Sequence, residues 1–296
     1  MERKKASDFH PEVLKLFDGY VHGSLSRRDF LDRATKFAVG TFTAGAMLEA
    51  LKPNFAWANQ VAKDDARIRT ETATYSTTQG SGTMRGYLVK PAKGPAKLPA
   101  IVVVHENRGL NPYIEDVTRR LGVLGYLAFA PDSLSPFGGY PGDEDKARAM
   151  FASQDRAKMT DDLINAVPYL KTRKDTSGKI GAVGFCFGGG VVNTMAVRIP
   201  DLAGAVPYYG AAPAADDVSK IKAALLIHYA SEDPNINKRA PEFEAALKAN
   251  KVRYEMHTYP NTQHGFHNDT TPRYDEAAAK LSWQRTVDFF NRTVKA

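Results

Sequence analysis

Two stretches, ARIRTETATYSTT and TMRGYLVKPA, alternate polar and apolar residues on either side of Gly80-Ser81-Gly82. Period-two alternation broken by a glycine-rich turn predicts a β-hairpin. The next run differs: LPAIVVVHE (98–106) is continuously apolar and rich in valine. Such a run predicts a strand buried on both faces. YIEDVTRRLGVLG then places Ile114, Val117, Leu121 and Leu124 on one stripe and predicts a helix. YLAFAPD (126–132) predicts a second buried strand. DEDKARAMFASQD and MTDDLINAVPYLKTR predict two helical segments, the second with Thr160 as N-cap before two acids. The pattern then repeats. KIGAVG is a strand and FGGGVVNTMAVRI opens a helix; LAGAVPYYG and AALLIHYAS are buried strands. APEFEAALKAN is a helix, VRYEMHTYP a strand, and YDEAAAKLSWQRTVDFFNRTV a long closing helix.

Alternating helices and apolar strands predict an α/β architecture, a mostly parallel sheet covered on both faces. The opening hairpin adds antiparallel strands at one edge. No internal repeat or low-complexity linker interrupts the pattern, so one domain is expected over 59–296.

The first 58 residues read differently. SLSRRDFL carries Arg27-Arg28, a moderately apolar stretch runs from Phe37 to Leu48, and Ala56-Trp57-Ala58 offers small residues around a cleavage point. A basic segment, an apolar segment and an A-x-A site are the parts of an export signal, here similar to the twin-arginine class. The expectation is a leader over 1–58, recognition by the twin-arginine machinery, cleavage after Ala58 and a periplasmic location. The alternative is an amphipathic N-terminal segment packed on a cytoplasmic protein. The apolar stretch is shorter than the about 20 residues needed to span a bilayer.

Composition changes this picture little. The chain has 296 residues, 43% hydrophobic and 25% charged, with a formal net charge of +7. Without basic runs interleaved with aromatics, that charge does not point to nucleic acid. One cysteine, Cys186, excludes an intrachain disulfide framework.

In a sheet of this kind the chemistry lies beyond the carboxyl ends of the strands. After KIGAVG comes Gly184-Phe185-Cys186-Phe187-Gly188, the nucleophile turn G-x-S-x-G with cysteine in place of serine. The flanking glycines let strand and helix approach, and a thiol at a helix N-terminus gains thiolate character. A buried structural cysteine is the competing reading. Dinucleotide and phosphate loops do not fit, because Cys186 and Asn193 stand where glycines are needed and no Gly-Lys-Ser/Thr follows.

A nucleophile of this type needs a base and an orienting acid, in the chain order nucleophile, acid, histidine. AALLIHYAS ends in Glu232-Asp233-Pro234, and VRYEMHTYP leads to Gln263-His264-Gly265. Cys186, Asp233 and His264 therefore follow three strands in the required order. Glu232 is the neighbouring alternative to Asp233, whose following proline fixes the turn. His228 and His257 lie inside strands and read as structural, and His10 and His22 lie in the leader. His264-x-x-His267 invites a metal reading, but a glycine-containing loop with no further ligands disfavours it. No metal or organic cofactor is expected. After LPAIVVVHE, the loop His105-Glu106-Asn107-Arg108-Gly109 is placed to give the second oxyanion donor, from the Asn107 amide, beside that of Phe187. Glu106 is close enough to perturb the thiol. Arg108 reads either as a clamp for a substrate carboxylate or as a solvated loop cation.

GFCFGGG, HENRG, YYG (208–210), SEDP and QHGF together resemble the dienelactone hydrolase (carboxymethylenebutenolidase) family over essentially all of 59–296. The resemblance implies the α/β-hydrolase fold and a triad carried by Cys186, Asp233 and His264. It implies a thiol-activating role for Glu106 and oxyanion donors at Asn107 and Phe187. The implied reaction is hydrolysis of an ester or lactone through a thioester. A carboxylesterase or thioesterase of the same fold, or a non-catalytic binding protein, are the other readings. The loop SLSPFGGYPGDED (133–145) is where specificity is expected to lie.

Overall fold

The computed structural model describes residues 4–295. The hairpin forms as expected: β1 (Ile68–Thr77) and β2 (Gly82–Pro91) pair antiparallel. β2 then pairs antiparallel with β4 (Leu127–Pro131), and from there the sheet is parallel through β3 (Leu98–Val104), β5 (Thr176–Phe185), β6 (Gly204–Tyr208), β7 (Ala224–Glu232) and β8 (Tyr254–Gln263). The strand order is β1-β2-β4-β3-β5-β6-β7-β8.

The continuous apolar runs are explained by the two cores. Successive residues of a strand point to opposite faces. On β3, Ala100, Val102 and Val104 enter one core while Ile101 and Val103 enter the other. The first core is closed by α5 (Glu144–Ala152), α6 (Arg156–Ile164), α7 (Ala166–Thr172), α8 (Phe187–Arg198) and α10 (Ala240–Ala249). The second is closed by α4 (Pro112–Val123) and α11 (Glu276–Phe290). A single turn, α9 (Pro234–Asn237), follows β7. A fully buried aliphatic side chain contributes about 1.5–3 kcal/mol, so a polar residue in these runs would cost as much. β8 lies at the sheet edge and buries only two of its ten positions, which is why its sequence is mixed.

One expected boundary is corrected. Thr160 does not cap its helix: Asp155 does, accepting from the amides of Ala157 and Lys158. The helix starts a turn earlier than the two acids indicated, and the Thr160 hydroxyl instead donates to the Arg156 carbonyl at 2.8 Å.

Residues 4–58 fold against the domain. α1 (Pro11–Val21), α2 (Arg27–Ala34) and α3 (Ala44–Leu51) share an apolar cluster of Phe9, Val13, Phe17, Tyr20, Phe30 and Leu48. The twin-arginine string is part of it. Ser26 caps α2 through a reciprocal box with Asp29, Phe30 is fully buried, and Arg27 pairs with Asp145 at 3.1 Å. Residues 1–3 of the expected leader lie outside the described residues. Among the described residues no helix is long and apolar enough to cross a membrane.

Candidate active site

Cys186 stands between β5 and α8 with φ 56° and ψ −116°. A non-glycine residue rarely adopts positive φ, and the strain of such a position is about 1–3 kcal/mol. The surroundings impose it. The Cys186 amide donates to the Tyr208 carbonyl at 3.1 Å, which anchors the turn to β6. A Cβ on Gly184 would lie 2.2 Å from the Gly188 carbonyl oxygen, and one on Gly188 would lie 2.3 Å from that of Val104. Helix α8 therefore begins in backbone contact with the end of β3. As its first residue, Phe187 has no intrahelical acceptor for its N–H, which is left at the helix N-terminus. The loop carrying Asn107 starts where β3 ends, so the two expected oxyanion donors stand on neighbouring segments.

Asp233 follows β7 and caps α9 through Oδ1, while Oδ2 receives the Nδ1 proton of His264 at 2.5 Å. Both side chains are buried. Asn237 Nδ2 donates to the Ala230 carbonyl at 2.7 Å and braces the turn. Glu232, the neighbouring alternative, is exposed and receives the Ser231 hydroxyl at 3.3 Å. Nε2 of His264 is buried without a hydrogen bond in the resting geometry, on the Cys186 side. Burial opposes charge on this imidazole. Cys186 and the Asp233 carboxylate more than offset it and hold the ring well above the usual histidine range. The arrangement therefore favours an imidazolium facing Cys186.

The Glu106–Gly109 loop is fixed from below. Buried His105 accepts from the Ser133 amide at Nε2 (3.1 Å), so Nδ1 carries the proton and donates to the Glu106 carbonyl at 2.6 Å. Glu106 lines the same cavity as Cys186, and its Oε2 accepts from Asn268 Nδ2 at 2.8 Å. Arg108 is buried in the wall of that cavity, its Nε 3.6 Å from a Glu144 oxygen in an ion pair but without a hydrogen bond. Burial pulls the guanidinium below its ordinary value, against Glu144.

The other histidines fall into place around this centre. His228 bonds Thr286 and Tyr259, and His267 bonds Tyr113 at 2.7 Å. Both are buried and held well below the usual range by desolvation. Among the described residues, one group could converge on a metal ion: His22, Cys186 and His264, with donor atoms within 4.8 Å of one another.

Four participants were given no role by the sequence pattern. Arg273 lines the cavity with its Nε buried and unpartnered. Asn268 holds Glu106. Tyr209, at φ 36°, lays its ring 4.9 Å from His264, and its buried hydroxyl has no partner among the described residues. His22, grouped with the leader in sequence, sits edge-on to His264 with ring centroids 4.8 Å apart.

Comparison with known proteins points to one family. The dienelactone hydrolase family profile matches residues 84–294, and a YqhI-like profile matches residues 1–39. An Escherichia coli K12 protein named as a candidate hydrolase fragment, YghX, is 59% identical over 108 residues, 36% of this chain and 92% of its own. A candidate carboxymethylenebutenolidase of Saccharolobus solfataricus is 30% identical over 250 residues, 72% of this chain and 95% of its own. A solved candidate dienelactone hydrolase of Klebsiella pneumoniae matches with TM-score 0.66 and 26% identity, over 76% of this chain and 99% of that one.

Proposed function

Because the chain belongs to the dienelactone hydrolase family, whose members hydrolyse esters or lactones, we propose that it works by cysteine nucleophilic catalysis through Cys186, His264 and Asp233. The observation that carries this reading is the position of His264, bonded to Asp233 on one nitrogen and facing the Cys186 sulfur with the other.

In the proposed reaction Cys186 Sγ attacks the acyl carbon and forms a C–S bond. The amides of Phe187 and Asn107 receive the charge that develops on the carbonyl oxygen. As the C–O bond breaks, His264 gives its proton to the departing oxygen, which stays tethered if the substrate is a lactone. Water then attacks the thioester, with His264 taking its proton and Asp233 stabilising the imidazolium. The C–S bond breaks, the sulfur leaves as thiolate and the acid is released. Glu106, held by Asn268 in the resting geometry, takes part in activating the thiol when substrate enters.

The substrate is proposed to carry a carboxylate near the acyl group. Arg273 and Arg108 both line the cavity with a buried Nε that makes no hydrogen bond, Arg108 with Glu144 at ion-pair distance, and arginine presents a fork that matches a carboxylate.

Intact-mass measurement during turnover of an activated aryl ester tests the mechanism. The wild type is expected to gain one acyl group, and Cys186→Ala to gain none and to lose activity. Equal turnover by both proteins would remove Cys186 from the mechanism. Comparing an unsaturated lactone that bears a carboxylate with its methyl ester tests the substrate class. Hydrolysis of simple aryl esters alone would leave a general carboxylesterase.

A further inference from the structure

The wall of the active site opposite β3 is built by the N-terminal segment. Phe17, Tyr20 and Val21 of α1, with Lys52 and Pro53, face Cys186, Glu106 and Arg108 across the cavity. The joints of this wall fall on functional groups. The Val21 carbonyl accepts from Asn107 Nδ2 at 2.9 Å, on the loop of the expected oxyanion donor. Asp18 pairs with Arg273 at 3.5 Å and with Nε2 of His22 at 3.3 Å. Burial works against the charge of Asp18, yet His22, Arg273 and His264 hold its carboxyl down to about 2. The His22 ring meets the His264 ring edge-on, at an interplanar angle of 88°. Further out, Asp145 gathers the Tyr20 hydroxyl, Arg27 and Lys52, and the Arg148 guanidinium lies 4.4 Å from the Tyr20 ring.

The segment is also tied at its far end. Ala58, the residue expected before a cleavage point, is buried in the core that α4 and α11 close, and the Asn54 amide donates to the Thr270 carbonyl at 2.8 Å. A leader peptidase needs an extended substrate, whereas Phe55–Trp57 is a helical turn that leads into buried Ala58. The covered cavity holds about 50 Å³, well below the roughly 300–1,000 Å³ of common ligand pockets.

We propose that residues 4–58 are a resident cap of the working enzyme. Helix α1 forms a wall that selects short acyl groups, and His22 is a positioning residue that holds the ring of His264. The proposal rests on the reading that Cys186 and His264 carry the reaction, and its tests separate the two. An edge-on ring in contact with the imidazole restricts its rotation, and the Asp18–His22 pair fixes that ring in turn. Val21 narrows the path to the sulfur.

Three measurements on the full chain decide it. The intact mass of the protein purified from its host is expected to include residues 4–58; a chain beginning at Asn59 would overturn the cap. Val21→Ala keeps the carbonyl that binds Asn107 but shortens the wall. The hexanoate-to-acetate ratio of kcat/KM for aryl esters is expected to rise about tenfold, the discrimination typical of a methylene-sized change. An unchanged ratio would remove α1 from selectivity. His22→Ala is expected to lower kcat about tenfold with KM within twofold, and His22→Phe, which keeps a ring edge, to recover most of the loss. Arg28→Ala, an exposed change on the same segment, is the control and should match wild type. If His22→Ala behaves like Arg28→Ala, or His22→Phe recovers nothing, the positioning role falls. A fully active Cys186→Ala would instead sink the nucleophile, while the mass and the acyl ratio still judge the cap.

Discussion

At the scale of single residues, Cys186 carries a conformation that glycine would adopt without strain. Cys186→Gly is therefore expected to abolish activity and yet raise stability by about 1 kcal/mol, because the relieved strain exceeds the added chain entropy. Thermal unfolding beside an activity assay checks this, and a lower melting temperature would contradict the strain argument. His264 makes a second expectation. Its charged form is favoured in the fold, so the imidazolium persists at low pH and is lost only as pH rises through a value above the ordinary about 6.5. The alkaline limb of the kcat/KM profile should lie above that value, and Asp233→Asn should move it downward by removing the carboxylate partner of the ring. Alkaline limbs that coincide in the two proteins would remove Asp233 from that role. The positions of Cys186, Asp233 and His264 were legible because each follows a strand recognisable by its apolar run. Arg273 and Asn268 were not, and Tyr209 entered only inside the YYG string, with no role. Each sits in irregular backbone or at a strand end, where periodicity carries no information about which way a side chain turns.

At the scale of elements, the site depends on how closely α8 can sit on β3. Gly188→Ala would place a methyl carbon 2.3 Å from the Val104 carbonyl oxygen. The contact is with backbone, so the helix must shift. Overpacking of this kind costs about 1–3 kcal/mol, and the loss in kcat is expected to exceed the loss in stability because the Phe187 amide moves with the helix. Denaturant unfolding and kcat measured on the same preparation check this; a stable, fully active variant would reject it. The sheet was legible almost strand by strand, since β3 to β7 are buried on both faces and leave long apolar runs. Helix starts were less so. Asp155 and Thr160 both precede plausible helical turns, and the competition is settled by which side chain reaches two free amides rather than by local composition.

At the scale of the whole molecule, a buried ionic cluster ties the cap's exit to the catalytic loop. Asp116, fully buried, accepts from Arg120 and from the Val61 amide, and Arg120 continues to Asp269 at 2.6 Å, close after His264. Removing one member of such a cluster strands buried charge. Asp116→Ala is expected to cost about 3–5 kcal/mol, measured by urea denaturation, and a loss below 1 kcal/mol would show that the cluster does not hold these segments together. None of this was legible in the sequence. Asp116 reads as one polar position on an amphipathic helix, and the first 58 residues read most directly as a leader because Arg27-Arg28 and Ala56-Trp57-Ala58 fit that pattern. Which reading holds depends on contacts between opposite ends of the chain. One consequence concerns measurement itself. Cys186 is the only thiol in the chain, and it lies beneath the cap. Any thiol-reactive label therefore attaches at the reaction centre and nowhere else. Reagents of graded size become calipers for the opening: small iodoacetamide reports the thiol itself, and a bulky maleimide dye reports how far α1 shields it.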